Sequence, residues 1–215
     1  MSENSFQTRY DLTKKSKLKV FYDSNKILIL SLIISLLVIF ISVSFYLENK
    51  KKQRILLSEN YIQAKIYLET GDKTKAVELL KSVVYENDST YSTLCFFLIM
   101  NQNLITDYTE LSELFQHLLK NNKFPQELEN LIIFKQTLLN SNYADESKLL
   151  ESAKPLLNDE NIWRPHILLL LGDYFTSKGE YIKAIEFYQK VFTISNLHND
   201  IYDHARSQLA VISNE

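Results

Sequence analysis

The chain has 215 residues, a mass of 25.2 kDa and a net charge of −2, which is one domain with additional segments. With 24 cationic against 26 acidic side chains there is no basic surplus to hold a phosphate backbone, so nucleic acid is not an expected partner. Three Gly and three Pro are too few for the turns of a sheet-rich fold and leave no Gly-rich phosphate loop, and the lone Cys95 excludes an internal disulfide framework or a thiolate zinc cluster.

Residues 1–26 form a basic leader with Arg9, Lys14, Lys15, Lys17, Lys19 and Lys26. Residues 27–46, ILILSLIISLLVIFISVSFY, carry no charge. Twenty helical residues span about 30 Å, the thickness of a bilayer core, and predict a transmembrane helix. A cleaved signal peptide is the rival, since Ser42-Val43-Ser44 offers a small-x-small site. The run is longer than a signal core, and it follows a long leader. Ser31, Ser35 and Ser42 fall near one stripe. Such a stripe can admit another membrane helix, or each serine can bond its own backbone. Lys50, Lys51, Lys52, Arg54 and Lys65 follow the helix. Six cations before and five after do not fix an orientation under the positive-inside rule. Lys50-Lys51-Lys52 suits anionic lipid or a plainly solvated helix start.

Beyond Leu47, apolar stripes alternate with short polar breaks at helical spacing. The predicted helices are 50–69, 73–86, 90–101, 106–121, 126–140, 143–157, 162–178, 181–194 and 200–213. Ile55, Tyr61, Ile62 and Ile66 supply the stripe of the first. Asp88 and Ser89 are candidate caps, Pro125 and Pro165 suit first helical turns, and Pro155 should end the sixth helix early. Cys95, inside Leu94-Cys95-Phe96-Phe97-Leu98, reads as a small buried hydrophobe.

One repeat is legible from Pro165 to His198. Leu171-Gly172, Phe175, Gly179, Ala184 and Tyr188 stand where the 34-residue tetratricopeptide pattern wants Leu-Gly, an aromatic, Gly, Ala and an aromatic. Gly172 and Ala184 are small where two helices touch, Phe175 and Tyr188 fill the space beside them, and Gly179 makes the turn. A weaker copy runs from Leu57 through Ala64, Tyr67, Gly71, Ala76 and Leu80. Units near 91–124 and 127–160 keep little beyond Tyr143 and Ala153. The expected fold is therefore all-α. It has a transmembrane helix over 27–46 and, over 47–215, a tetratricopeptide-like solenoid of about four helix pairs plus a capping helix. A generic helical bundle is the bland alternative. Positions 2, 5, 9, 12 and 13 line the concave side in the tetratricopeptide family, and the resemblance places there Ser58, Tyr61, Lys65, Leu68 and Glu69 in the first unit and His166, Leu169, Asp173, Thr176 and Ser177 in the last.

No catalytic constellation is legible. His117, His166, His198 and His204 are scattered, and Asp200 with His204 makes too poor a donor set for a metal. The carboxylate pairs Asp145-Glu146 and Asp159-Glu160 read as caps and surface charge. Asn87-Asp88-Ser89 is a glycosylation sequon, relevant in a eukaryotic secretory setting. Trp163 reads as a packing anchor rather than a partner contact. No cofactor, metal or small-molecule substrate is expected.

The order of parts resembles the YfgM-like family, ancillary subunits of the SecYEG translocon. The resemblance is strongest at Lys154-Pro155-Leu156-Leu157, Ile162-Trp163-Arg164, Leu171-Gly172, Gly179-Glu180-Tyr181-Ile182-Lys183-Ala184 and His204-Ala205-Arg206-Ser207-Gln208-Leu209-Ala210. It departs from the pattern over 91–140. The resemblance implies a bacterial inner-membrane protein with a cytoplasmic leader and a periplasmic domain. It also implies translocon subunits and a membrane-anchored chaperone as partners. The opposite topology, a cytoplasmic-facing scaffold that recruits a soluble partner, is the alternative.

Overall fold

The computed structural model describes residues 17–158, 161–195 and 197–213. It is 81% helix, without strands among the described residues. The helices are α1 Lys17–Glu69, α2 Lys73–Tyr85, α3 Tyr91–Asn101, α4 Tyr108–Asn121, α5 Gln126–Tyr143, α6 Glu146–Ala153, α7 Arg164–Ser177, α8 Tyr181–Val191 and α9 Asn199–Ile212. A 3₁₀ turn, Lys154–Leu156, follows α6. Pro155 thus stops α6, because it has no N–H to continue the ladder. Leader residues up to Ser16 and the Asp159-Glu160 pair lie outside the described residues.

The chain divides into two compact parts, Met1–Ile55 and Leu56–Glu215. In the first part, the apolar stretch of α1 is long and apolar enough to cross a membrane, and none of its window is buried among the described residues. Phe21 and Tyr22 flank it on one side and Phe45 and Tyr46 on the other, all exposed. These pairs are about 36 Å apart along a helix. Ser31 Oγ donates to the Leu28 carbonyl (2.9 Å) and Ser42 Oγ to that of Val38 (2.8 Å). Where the sequence predicts separate helices over 27–46 and 50–69, the backbone is helical throughout. The intervening LENKKKQR contains strong helix formers and no Gly or Pro.

In the second part, α1 buries Leu57 and Ala64, with Tyr61 packed beside them. Ile62 and Ile66, expected on the core stripe, are instead 54% and 44% exposed, and Ile55, the last residue of the first part, is 49% exposed. Ile62 and Ile66 lie about 140–200° around the helix from Leu57 and Ala64. The first helix of a stack has no preceding repeat to cover that face.

The solenoid has two hydrophobic clusters. One joins Leu57, Ala64, Leu80, Phe96, Phe115 and Ile132. The other joins Leu149, Leu156, Ile167, Phe175, Tyr188 and Ala205. Helix α5 serves both. Ile132 belongs to the first, and Ile133 and Phe134 pack on the second. Cys95 is fully buried, and burial pushes its thiol up to about 12.

Three first-of-pair helices end in the same way. Gly71 (φ +85°), Asn103 (φ +48°) and Gly179 (φ +73°) take the left-handed conformation. After α1, Asp72 N–H reaches the Tyr67 carbonyl and Gly71 N–H that of Leu68. The same two bonds recur at Leu104 and Asn103, and at Glu180 and Gly179. This is the Schellman closure, which glycine and, next best, asparagine adopt at least cost. Asp72, Asp107 and Asp145 then cap α2, α4 and α6 by accepting from the backbone N–H three residues on. Asp88 accepts from Thr90 and Tyr91 before α3, as its position suggests.

Ala184 is fully buried between α8 and its neighbours. Ala184→Trp is expected to lower the stability of the 50–215 fragment by about 1–3 kcal/mol through overpacking, read as a fall in thermal midpoint. Cys95 is expected to resist thiol reagents in the native fragment and to react on unfolding. Labelling at the unfolded rate under native conditions contradicts this burial.

Candidate protein-interaction surface

The best-defined geometry lies on α7 and α8. Gly172 has no Cβ, and a Cβ built there would stand 2.5 Å from the Tyr188 ring. The ring cannot retreat, because Tyr188 is fully buried. Phe175 lies beside it and stacks on Phe187 (5.5 Å between centroids). The equivalent pair in the first unit is Ala64 and Leu80, both fully buried in one cluster. A Leu in the place of Tyr lets the facing residue carry a methyl group.

The Tyr188 hydroxyl donates to Asp173 Oδ1 (2.7 Å), and Thr176 Oγ1 stands 3.2 Å from it. Burial, then the Asp173 carboxylate, pushes the Tyr188 phenol well above its ordinary value. The same Asp173 oxygen receives His204 Nε2 from α9 at 2.9 Å. One carboxylate therefore ties together α7, α8 and the closing helix. On the opposite flank, Lys183 of α8 bridges Glu146 of α6 (2.8 Å) and its own Glu180 (2.7 Å). Both carboxylates hold its ammonium charged well above the ordinary lysine range. Lys81 of α2 pairs with Glu110 of α4.

The expected partner-contact residues separate into distinct settings. Lys65 and Glu69 are exposed, Ser58 is half-buried, and Tyr61 packs on the first cluster. Leu68 is half-buried. In the last unit, Leu169 packs on the second cluster. Thr176 Oγ1 donates to the Gly172 carbonyl and Ser177 Oγ to that of Tyr174. Asp173 and Ser177 share a cleft of about 230 Å³ with Leu138, Ser141 and Asn142 of α5 and Leu170 of α7. This cleft lies between two successive first-of-pair helices, the concave side of such a stack. His166 lies apart, in a cleft of about 370 Å³ with Pro165, Ile194, Leu197, His198 and Ile201. Burial pushes its imidazole below the ordinary value.

Trp163 stacks on Phe134 of α5 (4.9 Å, 26°) and lies 5.4 Å from His166. Its Nε1 is buried without a hydrogen-bond partner. Sequence reasoning missed the role of His204, for which no local motif exists, and the left-handed Asn103. His198 meets Asp200 at 3.4 Å on an exposed helix start. Asn87 Oδ1, in the sequon, lies 2.8 Å from His117 Nε2. Tyr143 ends α5 and stacks on Tyr108 (5.7 Å) rather than opening a second helix. Among the described residues, no group of three His, Cys, Asp or Glu side chains is placed to hold a metal ion.

Two antiparallel helices locked by a glycine against a buried aromatic, closed by a left-handed glycine, define a helical repeat of the protein-binding kind. Residues 165–196 match the tetratricopeptide repeat family. No curated protein matches the chain.

Gly172→Ala is expected to destabilise the fold by about 1–3 kcal/mol. Gly172→Ala with Tyr188→Leu, the pair the first unit uses, should lose less than the sum of the single changes. A coupling of about 0.5 kcal/mol or more in a thermal double-mutant cycle checks it. Strict additivity places the two side chains out of contact.

Proposed function

We propose that this chain is a membrane-anchored, non-enzymatic adaptor whose helical repeats hold another protein beside the membrane. The observation that carries the reading is the combination of a tetratricopeptide repeat over 165–196 with an apolar N-terminal helix that none of the described residues buries. The repeats supply a concave cleft lined by Leu138, Ser141, Asn142, Leu170, Asp173 and Ser177. The helix raises the local concentration of that cleft near membrane partners.

The finer reading follows the resemblance to ancillary translocon subunits. The leader is cytoplasmic, the solenoid is periplasmic in a bacterial inner membrane, and the partners are translocon subunits and a membrane-anchored chaperone. Ser31, Ser35 and Ser42 are the proposed contact stripe toward another membrane helix. Lys65, Glu69 and Ser177, exposed on their helices, are the proposed contacts least committed to the solenoid itself. Asp173 is reachable by a partner through exchange with His204.

The test has two readouts. Full-length protein is expected to stay in the membrane pellet through alkaline carbonate. A topology reporter fused after Glu215 should report the periplasm, and photocrosslinkers at Lys65 and Ser177 should capture export-channel or chaperone proteins. Release of intact protein by carbonate removes the anchor, and release of a fragment starting near Phe45 indicates a cleaved signal. A cytoplasmic reporter with capture of soluble cytoplasmic proteins replaces this reading with the recruiting scaffold.

A further inference from the structure

We infer that Lys50, Lys51 and Lys52, the first cations after the apolar helix, bind the phosphate headgroups of anionic phospholipids; this rests on the membrane-anchor reading. All three are exposed and lie in the same compact part as the apolar helix.

Three observations carry the inference. The first is depth. Along a helix, Lys50 lies about 6 Å and Lys52 about 9 Å beyond Tyr46. The headgroup layer begins at the edge of the roughly 30 Å hydrocarbon core and extends about 5–7 Å from it. Lysine stems lie along the apolar helix end while their ammoniums reach the phosphates. Phe45 and Tyr46, 67% and 63% exposed, sit at the level where aromatic residues mark that boundary.

The second is direction. Consecutive helical residues point about 100° apart, so the three ammoniums fan over more than half of the circumference. A docked protein covers one face of a helix and meets one of them well. A single free phosphate cannot bridge groups that diverge in this way. A layer of separate anionic headgroups around the helix meets all three.

The third is charge balance. Glu48 is the one carboxylate between Phe45 and Arg54 in the sequence. It pairs with Lys52 at 3.7 Å, with both side chains largely exposed, and so offsets one cation. The collar keeps a positive surplus from Lys50 and Lys51.

The experiment uses the full chain reconstituted into phosphatidylcholine vesicles that carry a trace of spin-labelled lipid. The label is on phosphatidylglycerol in one set and on phosphatidylcholine in the other. Electron paramagnetic resonance reads the fraction of labelled lipid held at the protein. At low salt, phosphatidylglycerol should be held over phosphatidylcholine by about two- to fivefold. The preference should fall in the Lys50→Gln/Lys51→Gln/Lys52→Gln variant to what the leader cations alone hold, and toward one in high salt. Millimolar inorganic phosphate at constant ionic strength should leave it unchanged. Equal holding of the two lipids by the native chain overturns the inference, as does a preference undiminished in the variant. Loss of the preference to inorganic phosphate assigns the collar to soluble anions and also overturns it. Protein that fails to float with the vesicles overturns the anchor reading and this inference together, whereas flotation without headgroup preference overturns this inference alone.

Discussion

The solenoid turns on one missing methyl group. At Gly172 two helices approach so closely that the Tyr188 ring fills the space a Cβ would occupy. A ring held that tightly carries its hydroxyl to a fixed point, where Asp173 accepts it. A fixed Asp173 in turn offers the same oxygen to His204, and α9 docks over the pair. Close backbone approach, ring burial and closure of the last helix are therefore successive consequences of one glycine. Buried polar groups are retained where they are satisfied, and Tyr188 is satisfied because Asp173 sits at a half-exposed edge of the stack and not in its middle.

The same arrangement limits what the concave side can do. In an open repeat, a residue such as Asp173 on the inner helix is free for a partner. Here its carboxylate already holds α8 and α9. A ligand that takes Asp173 must compete with a hydrogen bond from His204, whose ring is 43% exposed. Exposed pairs of this kind contribute little net stability, so the exchange is inexpensive. Lys183 holds the opposite flank by bridging Glu146 to Glu180. Helix α5, shared between both clusters, forms the other wall of the cleft.

Much of this is legible from residue spacing, because the repeat pattern is a record of close contacts. Leu171-Gly172, Phe175, Ala184 and Tyr188 each name a buried packing position and Gly179 names a left-handed turn, and from α2 onward the expected helices agree with the observed ones to within about four residues. The middle units are obscure for a physical reason. Asn103 takes the place of a glycine, and α5 ends at Ala144 in extended backbone without a left-handed residue, so the usual punctuation is absent. Register also slips there, with Tyr143 closing a helix instead of opening one. The stripe of α1 misleads because Ile55, Ile62 and Ile66 share the helical period with the buried Leu57 and Ala64. Periodicity reports that a face is apolar, and only the neighbours decide whether it is covered. Contacts far apart in sequence, such as His204 on Asp173, leave no local trace.

The distribution of exposure along the apolar helix separates the possible covers. If another protein helix covered residues 27–46, an apolar stripe would suffice, and the remaining faces would tolerate polar side chains. The sequence instead spreads apolar residues around the whole circumference. Most of these residues are exposed, from Ile33 at 49% to Ile27 at 76%, with Ile29 half-buried, and Leu36, Leu37, Val38 and Ile39, which point in four successive directions, are each more than half exposed. Leaving this surface in water is costly, at about 25 cal/mol for every Å² of apolar area. A medium that is apolar on all sides removes that cost without any particular packing partner. Two of the serines fit the pattern directly: Ser31 and Ser42 return their hydroxyl protons to carbonyls of their own helix, which leaves those two donors satisfied in an apolar medium. A uniform apolar girth with aromatic pairs at both ends is what a bilayer requires of a helix, and this supports the anchor on physical grounds independent of the resemblance.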